Sequence, residues 1–391
     1  MPIYFDNAAT SWPKPPAVRA ALDEYFSDAG GNPGRSGHQM SIAAARLVEN
    51  SREALAQMFN AEDPSRIVFT HNATHALNLV IYGLVRPGDH VVTTSMEHNS
   101  VMRPLRHLET TGVYVTIVPC RPDGTLDVSR LNDAIRPGTR LVVTTHGSNV
   151  VGTLMPIEAI AALARDRNIN YLVDASQTAG AISIDVQKTG IDLMAFSGHK
   201  GLVGPTGTGG LYIRDGVMLS PLLRGGTGSD SAHETQPQFL PDMLESGTLN
   251  VAGIAGLGAG VRYLQEIGIE AVTEHGRKLV SKFVAGLHEI PGINVYGPTD
   301  VSKQCGVVSF NISDAVPSEV GLLLDEHFGI MARTGLHCAP AAHHTIGTFP
   351  AGTVRFSFSW FNTLAEIETS LEALGKIAGW ACKNEVKTWM A

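Results

Sequence analysis

Short, nearly unbroken apolar runs alternate with amphipathic stretches along most of the chain. The β-type runs are Arg66–Thr70, His90–Thr94, Tyr114–Pro119, Leu141–Thr145, Tyr171–Asp174, Leu193–Ser197 and Gly210–Ile213. Helical spacing falls between several of them, at Ala73–Leu84, Ser129–Ile135 and Pro156–Arg167. Strands that are apolar on both faces and separated by helices predict an α/β fold, with a mostly parallel sheet covered by helices on each side. The pattern changes after about residue 250. Two consecutive helical segments (Ile254–Ile267 and Glu270–Glu289) lead into a β-type run (Gly306–Ile312), a helix (Ser318–Phe328), another β-type run (Thr353–Ser359) and a last helix (Ala365–Trp380). That succession predicts a smaller α+β domain. The expected division is a large domain over residues 15–255 and a small one formed by 1–14 and 256–391.

Composition narrows the function classes. Of 391 residues, 43% are hydrophobic and 17% charged, so a sizeable core is expected. Lys and Arg number 29 against 37 Asp and Glu, a net charge of −8, which argues against nucleic-acid binding by phosphate neutralisation. No apolar run reaches the ~18 residues of a membrane span. The N-terminus has no basic segment leading into an apolar one, so a cytoplasmic location is expected. The four cysteines lie far apart without a Cys-x-x-Cys pair, and Cys120, Cys305 and Cys382 read as small buried hydrophobes.

In open α/β sheets, ligands collect beyond the carboxyl ends of the strands. Here five successive strand ends carry polar or ionisable residues: His71–Thr74, Ser95–Asn99, His146–Asn149, Asp174 with Gln177, and Ser197–Lys200. Asn72 and Thr74 at a helix start suit a phosphate, because unpaired N–H groups and the helix dipole favour an anion there. Asp174, ending an apolar strand, needs a cationic partner if buried, and a protonated pyridine nitrogen is one. Lys200, after a Ser-Gly-His turn, can form a Schiff base when its surroundings lower its pKa. The His98 ring can stack on a flat heterocycle. Phosphate site, acid, lysine and stacking ring together point to pyridoxal 5′-phosphate (PLP). The Gly-rich run 204–210 lacks a nucleotide-binding Gly-Lys-Ser/Thr ending and reads as backbone passing close to the cofactor. Gly253, Gly256, Gly258 and Gly260 follow no strand and read as close helix packing.

Six segments then occur in one order: Tyr-Phe-Asp-Asn-Ala-Ala-Thr at 4–10, Glu-His-Asn at 97–99, Ser-Asn-Val-Val-Gly at 148–152, Val-Asp-Ala-Ser-Gln at 173–177, Ser-Gly-His-Lys at 197–200 and Arg-Thr-Gly-Leu-His-Cys-Ala at 333–339. They resemble the class V aminotransferase-fold PLP enzymes, specifically the cysteine desulfurases. The short segment around Cys338 is similar to the SUF-type (group II) branch. The resemblance implies PLP fold type I and a homodimer. It implies that Lys200 is the Schiff-base lysine and proton shuttle, that Asp174 pairs with the pyridine nitrogen, and that Gln177 contacts the ring hydroxyl. His98 would stack on the ring and move protons. Ala73, Thr74, Ser197 and His199 would hold the phosphate end, joined by Thr248 from a partner subunit. Asn149, Arg355 and Arg333 would bind substrate, and Cys338 would receive sulfur as a persulfide, its thiolate favoured by Arg333 or His337. The implied reaction takes L-cysteine to L-alanine and hands sulfur on to an acceptor protein.

Two other readings stand beside this one. A selenocysteine lyase or another sulfur amino-acid lyase of the same fold would use L-selenocysteine or a related substrate through the same residues. His337, Cys338, His343 and His344 are also spaced as zinc ligands could be, although Arg333 nearby disfavours a cation, and no metal site is expected.

Overall fold

The computed structural model describes residues 2–34, 36–230 and 232–382. Its larger sheet has seven strands, in the order Ile67–Thr70, Gly209–Ile213, Leu193–Ser197, Asn170–Asp174, Thr139–Thr145, His90–Thr94 and Tyr114–Val118. Neighbours run parallel except at Gly209–Ile213, which is antiparallel to both strands beside it. The continuous apolar runs are explained by what lies above and below. Val92, Val142, Tyr171, Val173, Met194 and Phe196 enter one core cluster, while Val91, Leu141, Val143, Leu172, Leu193 and Ala195 enter another. Successive side chains on a strand point to opposite faces, so a sheet buried on both faces needs apolar residues at every position.

A second sheet of four antiparallel strands, in the order Arg333–Gly335, Thr353–Ser357, Val307–Ile312 and Ile293–Tyr296, builds its own core. Phe5, Phe283, Phe310, Phe356 and Phe358 pack edge-on and stacked at its centre, with ring centroids 5.0–5.8 Å apart. The N-terminal strand Ile3–Tyr4 joins this half by pairing with Ile330–Met331.

Two glycine readings are settled by what a Cβ would strike. A Cβ on Gly258 would lie 2.2 Å from Ser51 Oγ, so the helix Val251–Ile267 packs tightly on Gln39–Phe59. A Cβ on Gly209 would lie 2.8 Å from the Asn72 backbone. The Gly-rich run therefore lets one strand press against the turn that starts the helix Ala73–Leu84, which the sequence had expected to lie close to cofactor.

Candidate active site

The strands ending at Thr94, Thr145, Asp174 and Ser197 deliver their carboxyl ends to one edge of the large sheet. A cleft of about 290 Å³ opens there, and Ala73, Thr74, His98, Asn149, Asp174, Gln177, Ser197, His199 and Lys200 all line it. Nine of the residues singled out from the sequence thus meet in one place, although they span 127 positions from Ala73 to Lys200.

Each wall has a local cause. Asn72 caps the helix Ala73–Leu84 by accepting the His75 N–H at 2.9 Å. The N–H groups of Ala73 and Thr74, ahead of it, have no acceptor among the described residues. Nδ1 of His199 is buried without a partner in the same cleft. Unpaired donors at a helix N-terminus beside a further unpaired nitrogen make a place for an anion such as a phosphate. Oδ1 of Asp174 accepts from the Ser176 N–H at 2.9 Å and from Ser176 Oγ, while no side chain of the described residues donates to Oδ2. That oxygen suits a ligand cation. His98 caps the helix Asn99–Glu109, its Nδ1 accepting from the Ser100 N–H at 3.1 Å. The residue expected to stack on a ring thus has a capping role and lines the cleft as well. Burial pushes its imidazole down to about 4 against the pull of Asp174, so the ring is neutral at pH 7.

Lys200 is pushed down to about 8, mainly by burial, with Arg355 and Arg333 adding and Asp174 opposing. Lys14 is also pushed down to about 8 by burial, yet its Nζ is spent on Ser11 Oγ (2.7 Å) and the His199 carbonyl (3.0 Å), and it does not line the cleft. Lys200 is the cleft's one lysine among the described residues. An anion site, an acid with a free oxygen and a lysine with a depressed pKa fit PLP.

Cys338 sits at the rim. It is exposed, and Arg333 Nη2 lies 3.4 Å from its Sγ. His337 and Cys338 both adopt left-handed backbone, with φ of 48° and 59°. Such a conformation costs about 1–2 kcal/mol per non-glycine residue. Asn149 Nδ2 donates to the His337 carbonyl at 2.6 Å, and the Asn99 N–H donates to the Cys338 carbonyl at 2.9 Å. The two bonds tie the loop to the large-sheet half.

Several expectations are changed by the packing. His337 was offered with Arg333 as a source of positive charge for the thiol. Burial holds its imidazole at about 2, and its Nε2 lies 3.0 Å from Thr353 Oγ1, so it is neutral and, of the two, Arg333 alone supplies charge. Arg355 is buried and does not line the cleft. Its Nη2 pairs with Asp6 at 2.7 Å and its Nη1 donates to the Asn149 carbonyl at 3.0 Å, leaving Nε unpaired. Gln177 reaches the Ala8 carbonyl at 3.1 Å. Thr248 is exposed and lines none of the clefts described here. No group of three or more His, Cys, Asp or Glu among the described residues is arranged to hold a metal ion, and His343 turns its Nδ1 to Thr348 at 2.7 Å.

A family model described as aminotransferase class V matches residues 3–369. The chain belongs to this family. A "probable cysteine desulfurase" of Methanothermobacter thermautotrophicus is 41% identical, over 96% of this chain and 95% of that protein. Another, of Pyrococcus abyssi, is 39% identical over 96% and 94%. Among solved structures, the apo cysteine desulfurase of Thermococcus onnurineus superposes with a TM-score of 0.90 at 38% identity, covering 97% of this chain and 95% of that one. Escherichia coli cysteine desulfurase CsdA, in an S-sulfonic acid form, gives 0.86 at 31% identity, covering 96% and 94%. The expected class V resemblance and α/β fold agree with these findings.

Sequence reasoning quoted Glu97 but assigned it nothing. It is wholly buried between two strand ends. Pairing between His90–Thr94 and Thr139–Thr145 stops at Val92 and Val142, and Glu97 Oε2 takes up the Thr145 N–H at 2.8 Å while Thr94 Oγ1 donates to Oε1 at 2.5 Å. Burial, aided by Asp174, pushes the carboxyl up to about 8 against the Thr94 hydrogen bond. A raised folded pKa means its stability contribution is full below the ordinary 4.5 and lost as pH rises to about 8. Glu97→Gln keeps one donor and one acceptor and never ionises. Its stability relative to wild type should therefore climb from pH 5 to pH 8, by up to ~1.4 kcal/mol per pH unit in urea unfolding of the apoprotein. Parallel wild-type and variant profiles would remove Glu97 from this account.

Proposed function

We propose that the chain is a PLP-dependent cysteine desulfurase, converting L-cysteine to L-alanine and receiving the sulfur on Cys338 as a persulfide. The observation that carries this reading is an exposed thiol whose loop is pinned by hydrogen bonds to the His337 and Cys338 carbonyls against the rim of a cleft containing Lys200 and Asp174. Family membership and the similarity to cysteine desulfurases support it.

In this reading the Ala73 and Thr74 N–H groups, Ser197 and His199 would hold the phosphate. Thr248 of a second copy closes the site, making the working unit a homodimer. Asp174 would pair with the ring nitrogen, Gln177 would contact the ring hydroxyl and His98 would cover the ring face. Bound there, PLP supplies a carbonyl carbon for the substrate amine and a cationic ring that draws electrons from the substrate's α-carbon. Lys200 Nζ removes the α-proton. With a pKa of about 8, roughly a tenth of it is the free base at pH 7. Asn149, which lines the cleft, would hold the substrate carboxylate, with Arg355 behind it, bound to the Asn149 carbonyl. Cys338 Sγ attacks the substrate sulfur. The carbon–sulfur electron pair stays with the β-carbon, which gains a proton to become alanine, and the sulfur leaves on Cys338. Arg333 offers a charge-assisted donor to Sγ. We place the enzyme in the cytoplasm, where a reducing medium keeps all four free cysteines as thiols.

The test is a product assay. Purified protein given PLP, L-cysteine and excess dithiothreitol should release alanine and sulfide in equal amounts, the dithiol reducing the Cys338 persulfide and becoming a disulfide, with L-selenocysteine run in parallel. Turnover of L-selenocysteine alone would transfer the activity to the lyase reading.

A further inference from the structure

Cys338 lines a second cleft and is absent from the wall of the first. The outer cleft encloses about 380 Å³ and shares Thr74, His98 and Ser100 with the inner one. Tyr82 and Pro104 form apolar wall, and Arg103 stands on it. Among the described residues, no Asp or Glu lines this cleft. Arg103 is exposed and has no hydrogen-bond or ion-pair partner among the described residues, whereas the next arginine along the helix, Arg106, is paired with Glu109 at 2.8 Å. Arg333, 3.4 Å from Cys338 Sγ, adds a second cation at the same end. A thiol, an unpaired guanidinium and apolar wall are thus gathered in a small-molecule-sized space with no opposing charge.

We propose that the outer cleft is a discharge site, where a small thiol bearing a carboxylate binds to Arg103 and takes the sulfur from Cys338. This rests on the reading of Cys338 as sulfur carrier. The acceptor thiolate attacks the outer sulfur of the Cys338 persulfide. The sulfur–sulfur bond breaks and its electron pair returns to Sγ, which leaves as a thiolate beside Arg333. The acceptor becomes a persulfide, and no external oxidant or reductant enters.

The cofactor-loaded enzyme is charged at Cys338 in two ways, with L-cysteine and with inorganic polysulfide, and freed of excess reagent. Persulfide remaining on the Cys338 peptide is followed by alkylation and mass spectrometry, normalised to the starting charge. At equal thiolate concentration and low salt, 3-mercaptopropionate should discharge it about tenfold faster than neutral 2-mercaptoethanol, the scale of one charge-assisted contact. The ratio should fall to about one in Arg103→Gln and at ~1 M salt, where charges are screened beyond about 3 Å. Equal rates in wild type, or a preference that survives Arg103→Gln, would overturn the proposal. Charging by polysulfide but not by L-cysteine would instead defeat the desulfurase reading, and the discharge comparison would still decide this one.

Discussion

Lys200→Ala should leave a folded protein that no longer turns over L-cysteine, with the rate down by about 10²–10⁴-fold or more, the range supplied by a positioned proton-transfer group. The reason is local. Burial depresses the Lys200 amine to about 8 at the point where Asp174, Gln177 and His98 converge, so it is the group in the cleft able to hold or accept a proton near neutral pH. His98 is held neutral near 4 and His199 near 4, both by burial, and neither replaces an amine. Exchange of the substrate α-proton with deuterated solvent isolates the step. Wild type should exchange it and Lys200→Ala should not. Retention of exchange at the wild-type rate would show that another base does the work.

Cys338→Ser should separate proton removal from sulfur transfer. Alanine formation from L-cysteine should drop on the order of 10³-fold, about 4 kcal/mol of barrier, because a hydroxyl is a far weaker nucleophile than a thiolate. Solvent exchange of the α-proton should survive, since Lys200 and Asp174 are untouched. The Ser side chain is close in size and sits on an exposed rim, so stability should change little. Loss with L-selenocysteine should be much smaller, because the carbon–selenium bond is weaker and needs less help from a nucleophile. Wild-type alanine production by Cys338→Ser would move the sulfur acceptor elsewhere. Cys120 and Cys305 are poor substitutes, since burial pushes their thiols up to about 11 and about 12.

The strands of the large sheet could be read from the chain because burial on both faces demands unbroken apolar runs, and the residues after each run then had to share one edge. The helices Pro16–Asp28 and Gln39–Phe59 were not anticipated, since their apolar positions are interleaved with many polar ones. The strand Arg333–Gly335 has no apolar signature; it is held by backbone pairing to Thr353–Ser357. Side-chain consequences of packing were also hidden. The Asp6–Arg355 pair joins residues 349 positions apart, and nothing local to either residue announces it. His337 is charged or neutral according to how deeply Thr353 and His343 enclose it, which spacing does not carry. Glu97 lay in plain view beside His98, but an acidic residue in a turn is ordinarily solvated, and only the gap between two strand ends made it a buried acid.

Among the described residues, two lysines have amines depressed to about 8, and only one of them lines the cleft. The most direct measurement is therefore to reduce the PLP-loaded protein with borohydride, digest it and locate the pyridoxyl group by mass spectrometry. The account predicts one label, on the peptide containing Lys200. A label on Lys14, or no label after PLP has been supplied in excess, would contradict it.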